Sequence, residues 1–440
     1  MTKVSGFVEW LPEQRIVELQ WLDEIRRTFE SYGFCSIETP SVEEIDALLA
    51  KGETDKEIYV IKRLQGEGDK SEARLGLHYD LTVPLARYVA EHYNDLVFPF
   101  KRYQIQRVWR GERPQEGRYR EFYQCDIDVI NNNTVPQHFD AEMPVIVYEI
   151  FKRLGVQNFQ MHINNRKVLQ GYFEGLGIED TIPVLRIVDK LDKIGHDGVR
   201  VQLQEQLGMS EELAERCLAI GKICTSDLSF VERVRELGVQ SELLDQGLEE
   251  LQFVMNELRH VPEGVMLADL SIARGLDYYT GTVYEGKLAD FPAFGTICSG
   301  GRYDDLTGSF ISRKLPGVGI SIGLTRLLAK LLAEQKLQIG PKSPTQVLVV
   351  FPSEERRAEA VQAARTLRER GLNVEMYPTP IKQAQQLRYA SRKGIPYAWF
   401  LPYGEKGHEV KNMVTGQQQE VDLATWQPTE QSGVSEAEAR

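Results

Sequence analysis

Between residues 12 and 32 the apolar side chains Ile16, Leu19, Leu22, Ile25 and Phe29 recur at close to three-residue steps, and Gly33 follows them. That period lays one apolar stripe along a helix and makes the glycine its C-terminal stop, so a long amphipathic helix is expected. A strand from Phe34 to Thr39 follows and ends at Pro40. In residues 58–90 a short strand ends near Asp80 and Thr82, and Pro84 opens a helix where a missing N–H is tolerated. Next comes a polar, β-rich strand, Tyr103 to Arg110, a loop with Gly111, Pro114 and Gly117, and a second strand from Arg120 to Ile130. Side chains alternate along that second strand, so Arg120, Phe122, Gln124, Asp126 and Asp128 share one face, and Tyr123, Cys125, Ile127 and Val129 the other. One face is core; the other is a row of hydrogen-bonding groups around one aromatic ring.

From about residue 180 to 260 the pattern changes to short helices, a helical insertion, with Ser210 and Ser229 as N-caps, Glu232 completing a capping box with the latter, and Gly238 and Gly247 as interruptions. Strand signals return in GVMLADLSIARGLDYYTGTVYEG and ICSGGRYDDL. In LPGVGISIGLTRLLAKLLAEQ, Gly317, Gly319 and Gly323 precede a helix containing Arg326. Residues 335–344 are a polar, proline-bearing linker. Beyond it strand and helix alternate: Val347 to Phe351, Glu354 to Arg370 stopped by Gly371, Leu372 to Met376, Lys382 to Lys393 stopped by Gly394, and Tyr397 to Leu401. The end, from about Pro428, is small and acidic and is expected to be disordered.

Composition adds limits. A chain of 440 residues, 42% hydrophobic and 27% charged, makes two or three globular domains. No stretch approaches the apolar length of a membrane span and the N-terminus lacks a signal-peptide core, so a soluble, cytoplasmic protein with no membrane partner is expected. Five cysteines without a C-x-x-C and seven scattered histidines offer no metal-ligand spacing, and no metal site is expected. Charge is uneven. The formal net charge is -13, yet residues 101–120 hold seven basic side chains (Lys101, Arg102, Arg107, Arg110, Arg113, Arg118, Arg120) against Glu112 and Glu116. Guanidinium forks suit phosphates, Glu112 can accept from an amine, and Phe122 offers a stacking surface to a base.

The run RGERPQEGRYREFYQ within this hairpin resembles motif 2 of the class II aminoacyl-tRNA synthetases, in the form seen in histidyl-tRNA synthetases. The helix and strand ending at Pro40 resemble motif 1, a dimer interface in that family. LPGVGISIGLTRLL resembles motif 3, although Thr325 stands where an acid is more usual before the arginine. RGLDYY followed by TGTVYE resembles the histidyl signature, and KQAQQLRYASRKG resembles the anticodon-binding domain of this subgroup. The resemblance implies an α+β catalytic domain over residues 1–330, an antiparallel sheet flanked by helices, interrupted at about 180–260 by the helical insertion. A linker at 331–344, an anticodon-binding α/β domain at 345–427 and the tail at 428–440 follow.

It also implies residue roles. Arg110 would hold the α-phosphate of ATP and also contact the bound histidine, Arg274 would lie near the carboxylate and α-phosphate where other class II enzymes use a metal, and Arg326 with Arg118 would take the distal phosphates. Phe122 would stack on adenine, and Glu112 would accept from its amine. Asp128 and Tyr279, with Tyr278 in the same signature, would bind the imidazole of L-histidine, and Asp80, Thr82 and Gln124 its α-ammonium. Gln115 would meet the acceptor end of the histidine tRNA, Mg2+ would ride on the ATP phosphates, and the protein would be a homodimer. Two other readings compete: a retired paralogue serving as the regulatory subunit of ATP phosphoribosyltransferase, and a class II synthetase for another amino acid. The former typically loses the arginines and the C-terminal domain, whereas Arg110, Arg274, Arg326 and the α/β tail are present here. The latter does not call for RGLDYY.

Overall fold

The N-terminal stripe folds as a helix over Pro12–Ser31, with Ile25 and Phe29 fully buried, and Gly33 leaves it at φ +79. The computed structural model describes residues 3–49, 57–62, 74–273, 279–305, 307–308, 310–337 and 339–429, with Asp192 by its backbone alone. Strands are numbered along the chain: β1 (Cys35–Ser36), β2 (Val42–Glu44), β3 (Leu75–Leu77), β4 (Phe100–Trp109), β5 (Glu121–Ile130), β6 (Phe159–Asn165), β7 (Cys224–Thr225) and β8 (Met266–Asp269). Then come β9 (Thr282–Leu288), β10 (Cys298–Tyr303), β11 (Gly317–Gly323), β12 (Val347–Val349), β13 (Val374–Met376), β14 (Tyr397–Phe400), β15 (His408–Asn412) and β16 (Gln418–Val421). The chain divides into two compact units, Met1–Val8 with Trp21–Lys336 and Glu9–Gln20 with Leu337–Arg440.

In the first unit nine strands form one sheet in the order β1-β4-β5-β11-β10-β9-β6-β8-β7. Every neighbour from β4 to β6 in that order is antiparallel, while β1 on β4 and β8 on β6 are parallel. Alternation on β5 divides its side chains as expected: Cys125, Ile127 and Val129 are fully buried on the core side. The helix His138–Arg153 adds Met143, Ile146, Val147 and Ile150 to the buried interior, and Arg302 of β10 pairs with its buried Asp140. The helix Leu324–Ala333 follows β11, and its Thr325 hydroxyl accepts the Tyr123 N–H at 2.9 Å. That bond gives the threonine, for which the sequence suggested no function, a place in holding this helix to β5.

Several expected details differ. The strand after the first helix is only β1, because beyond Ser36 the backbone keeps one further bond, Ile37 N–H to the Tyr103 carbonyl, before Pro40. Ser229 does not cap its helix; its hydroxyl turns to Asp227 Oδ1 at 2.6 Å, and no capping box forms. Gly247 lies inside the unbroken helix Glu242–Glu257, where a Cβ would sit 2.5 Å from Val168 N of the helix Arg166–Gly175. It is a point of close helix approach, and Ser241 is the residue that caps this helix, at 3.0 Å from Leu244 N.

The second unit holds a five-stranded sheet in the order β13-β12-β14-β15-β16. β12 is parallel to both β13 and β14, as strand–helix alternation demands, and Gly371 and Gly394 end the two helices at φ +85 and +71. β15 and β16, absent from the sequence reading, continue the sheet as an antiparallel hairpin. Trp399 is fully buried at its centre, and the buried Gln386 side chain bonds both the N–H and the carbonyl of Phe351.

Candidate functional site

The polar side chains of three strands meet on one face of the large sheet. Register sets Arg102 opposite Asp128, Gln104 opposite Asp126, Gln106 opposite Gln124 and Val108 opposite Phe122. On the other side of β5, Gly319 lies opposite Asp128, Ser321 opposite Asp126 and Gly323 opposite Gln124. The glycine at 319 is required there, since a Cβ would overlap the Asp128 carboxylate. The result is a floor of hydrogen-bonding groups with open space above it.

Two adjoining hollows occupy that face. The larger, about 230 Å³, is lined by Arg110, Glu112, Arg118, Phe122, Gln124 and Arg326, together with Tyr119, Thr296, Ile297, Cys298 and Gly323. The smaller is lined by Thr82, Asp126, Asp128, Tyr279, Tyr303, Gly300, Gly301 and Gly319, and Ser299 and Ser321 border both. The Arg110 guanidinium lies 5.2 Å from the Phe122 ring centroid, and its Nε donates to the Tyr79 carbonyl at 3.0 Å. Arg118 pairs with Glu112 at 3.0 Å on the half-exposed rim. Arg326 lies 4.5 Å over the Phe294 ring and donates to the Phe294 carbonyl.

Charge is concentrated under the smaller hollow. Asp128 is paired with Arg102 at 2.6 Å and accepts from the Tyr303 hydroxyl at 2.9 Å. Burial pushes the Asp126 carboxyl up to about 7. Arg102 and the Ser321 hydroxyl oppose that rise, while Asp128 and Asp80 add to it. Asp80 itself caps the helix Thr82–Glu91 by accepting from Val83 N at 3.1 Å, and it borders neither hollow. Gln115 is exposed in the loop after β4, where its backbone pairs with that of Arg118. Arg274 and Tyr278 lie outside the described residues.

Sequence reasoning passed over Arg102, Tyr303 and Phe294 as site residues. Arg102 was visible only as one charge in a basic run, and its partner becomes evident only through strand register. Phe294, in a short 3-10 turn over Pro292–Phe294, carried no motif. Elsewhere His162, Cys224 and Asp269 converge at the far end of the sheet with ligand atoms within 4.8 Å of one another, brought together by three separate strands. His162 Nδ1 lies 2.7 Å from Asp269 Oδ2, and Ser271 donates to the other oxygen, so hydrogen bonds already satisfy the carboxylate.

A family model for histidyl-tRNA synthetase matches residues 6–327, and one for an anticodon binding domain matches residues 346–426. The chain belongs to the histidyl-tRNA synthetase family. A histidine–tRNA ligase of Thermobifida fusca is 59% identical over 97% of this chain and 98% of its own length, and one of Micrococcus luteus is 48% identical over 97% and 96%. The crystal structure of a histidyl-tRNA synthetase from a Nostoc species superposes with a TM-score of 0.86 at 40% identity, covering 96% of each chain. A structure described as an ATP phosphoribosyltransferase regulatory subunit/histidyl-tRNA synthetase from Bacillus halodurans shares the fold, with a TM-score of 0.72 at 24% identity over 89% of this chain and 96% of its own. Family membership thus spans both units, and the α+β domain with its C-terminal α/β partner is the family's architecture.

Proposed function

We propose that the chain joins L-histidine to the 3′ end of its tRNA in two steps, through histidyl-adenylate formed from ATP. What carries this reading is the shared border of the two hollows: an arginine-rich cleft suited to a nucleotide meets, at Ser299 and Ser321, a small hollow lined by Asp126 and Asp128. The reacting atoms, an anionic carboxylate and an anionic α-phosphate, would meet at that border. Two anions approach only where cations cancel their charge, so the protein's contribution is placement and electrostatic stabilisation, with no protein nucleophile.

In this reading Arg110 holds the α-phosphate, and Arg326 and Arg118 hold the distal phosphates. Phe122 stacks on adenine, and Glu112 accepts from its amine. Asp128 and Tyr279 take the imidazole, Thr82, Gln124 and Asp80 the α-ammonium, and Tyr278 stands beside them in the same signature. Arg274 serves the carboxylate and α-phosphate together, and Gln115 the tRNA end. Glu112 is the single carboxylate bordering the cleft among the described residues, and it is paired with Arg118. Such a donor set fits Mg2+ held by the phosphate oxygens, where it would neutralise the departing pyrophosphate. The protein is read as a cytoplasmic homodimer. No helix among the described residues is long and apolar enough to cross a membrane.

Amino-acid-dependent ATP–pyrophosphate exchange across the twenty amino acids tests the reading. Histidine should stimulate exchange above all others. Stronger exchange with any other amino acid would overturn the assignment of the acidic hollow.

A further inference from the structure

We infer that Arg102, a residue of β4 that borders neither hollow, positions the imidazole of the substrate by holding Asp128 as a fixed, charged acceptor. The inference rests on the histidine-activating reading and adds to it the group that makes the acceptor work. Arg102 is fully buried, which is rare for arginine, and its Nη2 lies 2.6 Å from Asp128 Oδ2. The Tyr303 hydroxyl occupies the other oxygen at 2.9 Å, so the carboxylate is gripped from two strands at once. Gly319 removes the one side chain that would crowd it.

Burying an arginine is a poor way to gain stability. Among the described residues none of its Nε, Nη1 and Nη2 makes a hydrogen bond of good geometry, so Nη2 meets the Asp128 carboxylate as an ion pair by proximity, and a buried ion pair with unmet donors contributes less than an apolar pair of the same volume. The same pair makes sense as a device for binding. An imidazole N–H is recognised best by an ionised oxygen that cannot rotate away, and a lone carboxylate in a buried hollow would be neither reliably ionised nor fixed. One guanidinium supplies both. Asp126, two residues along the same face of β5, has no residue of its own on β4 to pair with, since its partner in register is the neutral Gln104. Arg102 is therefore the one cation in register with the acidic pair, and it stands opposite the member that meets Tyr303.

The test uses the full chain and steady-state ATP–pyrophosphate exchange, with the histidine KM, the ATP KM and kcat read separately. Arg102→Met keeps the volume of the side chain and removes its charge, and it should raise the histidine KM by about 10- to 100-fold while the ATP KM stays within about twofold. Arg102→Lys keeps the charge without the fork, and its histidine KM should fall between the two. In combination with Asp128→Asn, the effect of Arg102→Met on the histidine KM should shrink to about twofold or less, because the guanidinium would have no carboxylate left to hold. If Arg102→Met does not fold, Arg102→Lys decides alone: a histidine KM at least threefold above the parent supports the inference, and one at the parental value overturns it. Equal rises in both KM values, or a lowered melting temperature with an unchanged histidine KM, would assign Arg102 to the fold only. A parent enzyme that does not favour histidine would instead overturn the proposed function, a result distinct from either.

Discussion

Asp126 shows how one buried side chain couples the site to stability. An aspartate in the unfolded chain titrates near 3.8, whereas burial brings this one to about 7 in the folded protein. The folded state therefore holds its proton to higher pH than the unfolded state does. By linkage its contribution is most favourable below about pH 4, declines as pH rises from about 4 to about 7, and is level above that. Asp126→Asn deletes the titration and leaves an amide of the same shape, so the melting temperature of the variant minus that of the parent should increase between about pH 5 and pH 8. A difference that stays flat over that range would mean the group is ionised throughout. The phenylalanine, the glutamine and the two aspartates on this face were all legible in the sequence, because period-two alternation needs only one strand. Arg102 was not, since its meaning depends on which residue the pairing of β4 with β5 sets opposite it, and alternation along a single strand does not give that register.

At the scale of elements, helix packing in the insertion depends on a glycine that the sequence presents as a flaw. Gly247 sits within a continuous helix against the backbone of Arg166–Gly175, and Gly171 of that helix makes the reciprocal approach to Leu244. Helix propensity alone would reward Gly247→Ala by about 1 kcal/mol. Steric overlap with Val168 N at 2.5 Å and Lys167 C at 2.8 Å acts against it, and both are backbone atoms that cannot swing aside. Overpacking of this kind costs about 1–3 kcal/mol, so the variant should be less stable than the parent by urea or thermal unfolding. A more stable variant would show that the helices can separate at little cost. Helices were legible here because each carries its own apolar period, and Ser210 caps as its sequence implies, accepting from Leu213 N at 3.2 Å. Ser229 and Gly247 were misread because neighbours outside their own helix, Asp227 and Val168, determine what they do. Strands β15 and β16 escaped notice for a related reason. HEVKN and QQEV are short and polar, with Val410 the one buried side chain in the pair, so alternation had almost nothing to register.

Across the whole molecule, sequence resemblance carried further than periodicity could. Nine strands in crossed order cannot be assembled from local pattern, whereas the motif runs identified a family whose fold is known as a unit. The division of labour between the two units leads to the last prediction. Residues 345–427 hold 11 basic and 9 acidic side chains, a charge of +2, so the remainder of a chain at -13 carries -15. A polyanion such as tRNA meets less repulsion on residues 345–427, while every residue proposed for adenylate formation lies before the linker. Deleting residues 345–440 should therefore leave histidine-dependent pyrophosphate exchange within about threefold of the parent, less than about 1 kcal/mol in barrier. Aminoacylation at limiting tRNA should fall by about 100-fold or more, which corresponds to at least 2.7 kcal/mol or so of lost tRNA interaction. Glu9–Gln20 groups with the C-terminal unit, so the deletion also strips that stretch of its packing partners, and the variant must first be shown to melt cooperatively. If a cooperatively folded variant loses exchange and aminoacylation to the same extent, the C-terminal unit takes part in activation itself, and the separation of the two steps between the units is wrong.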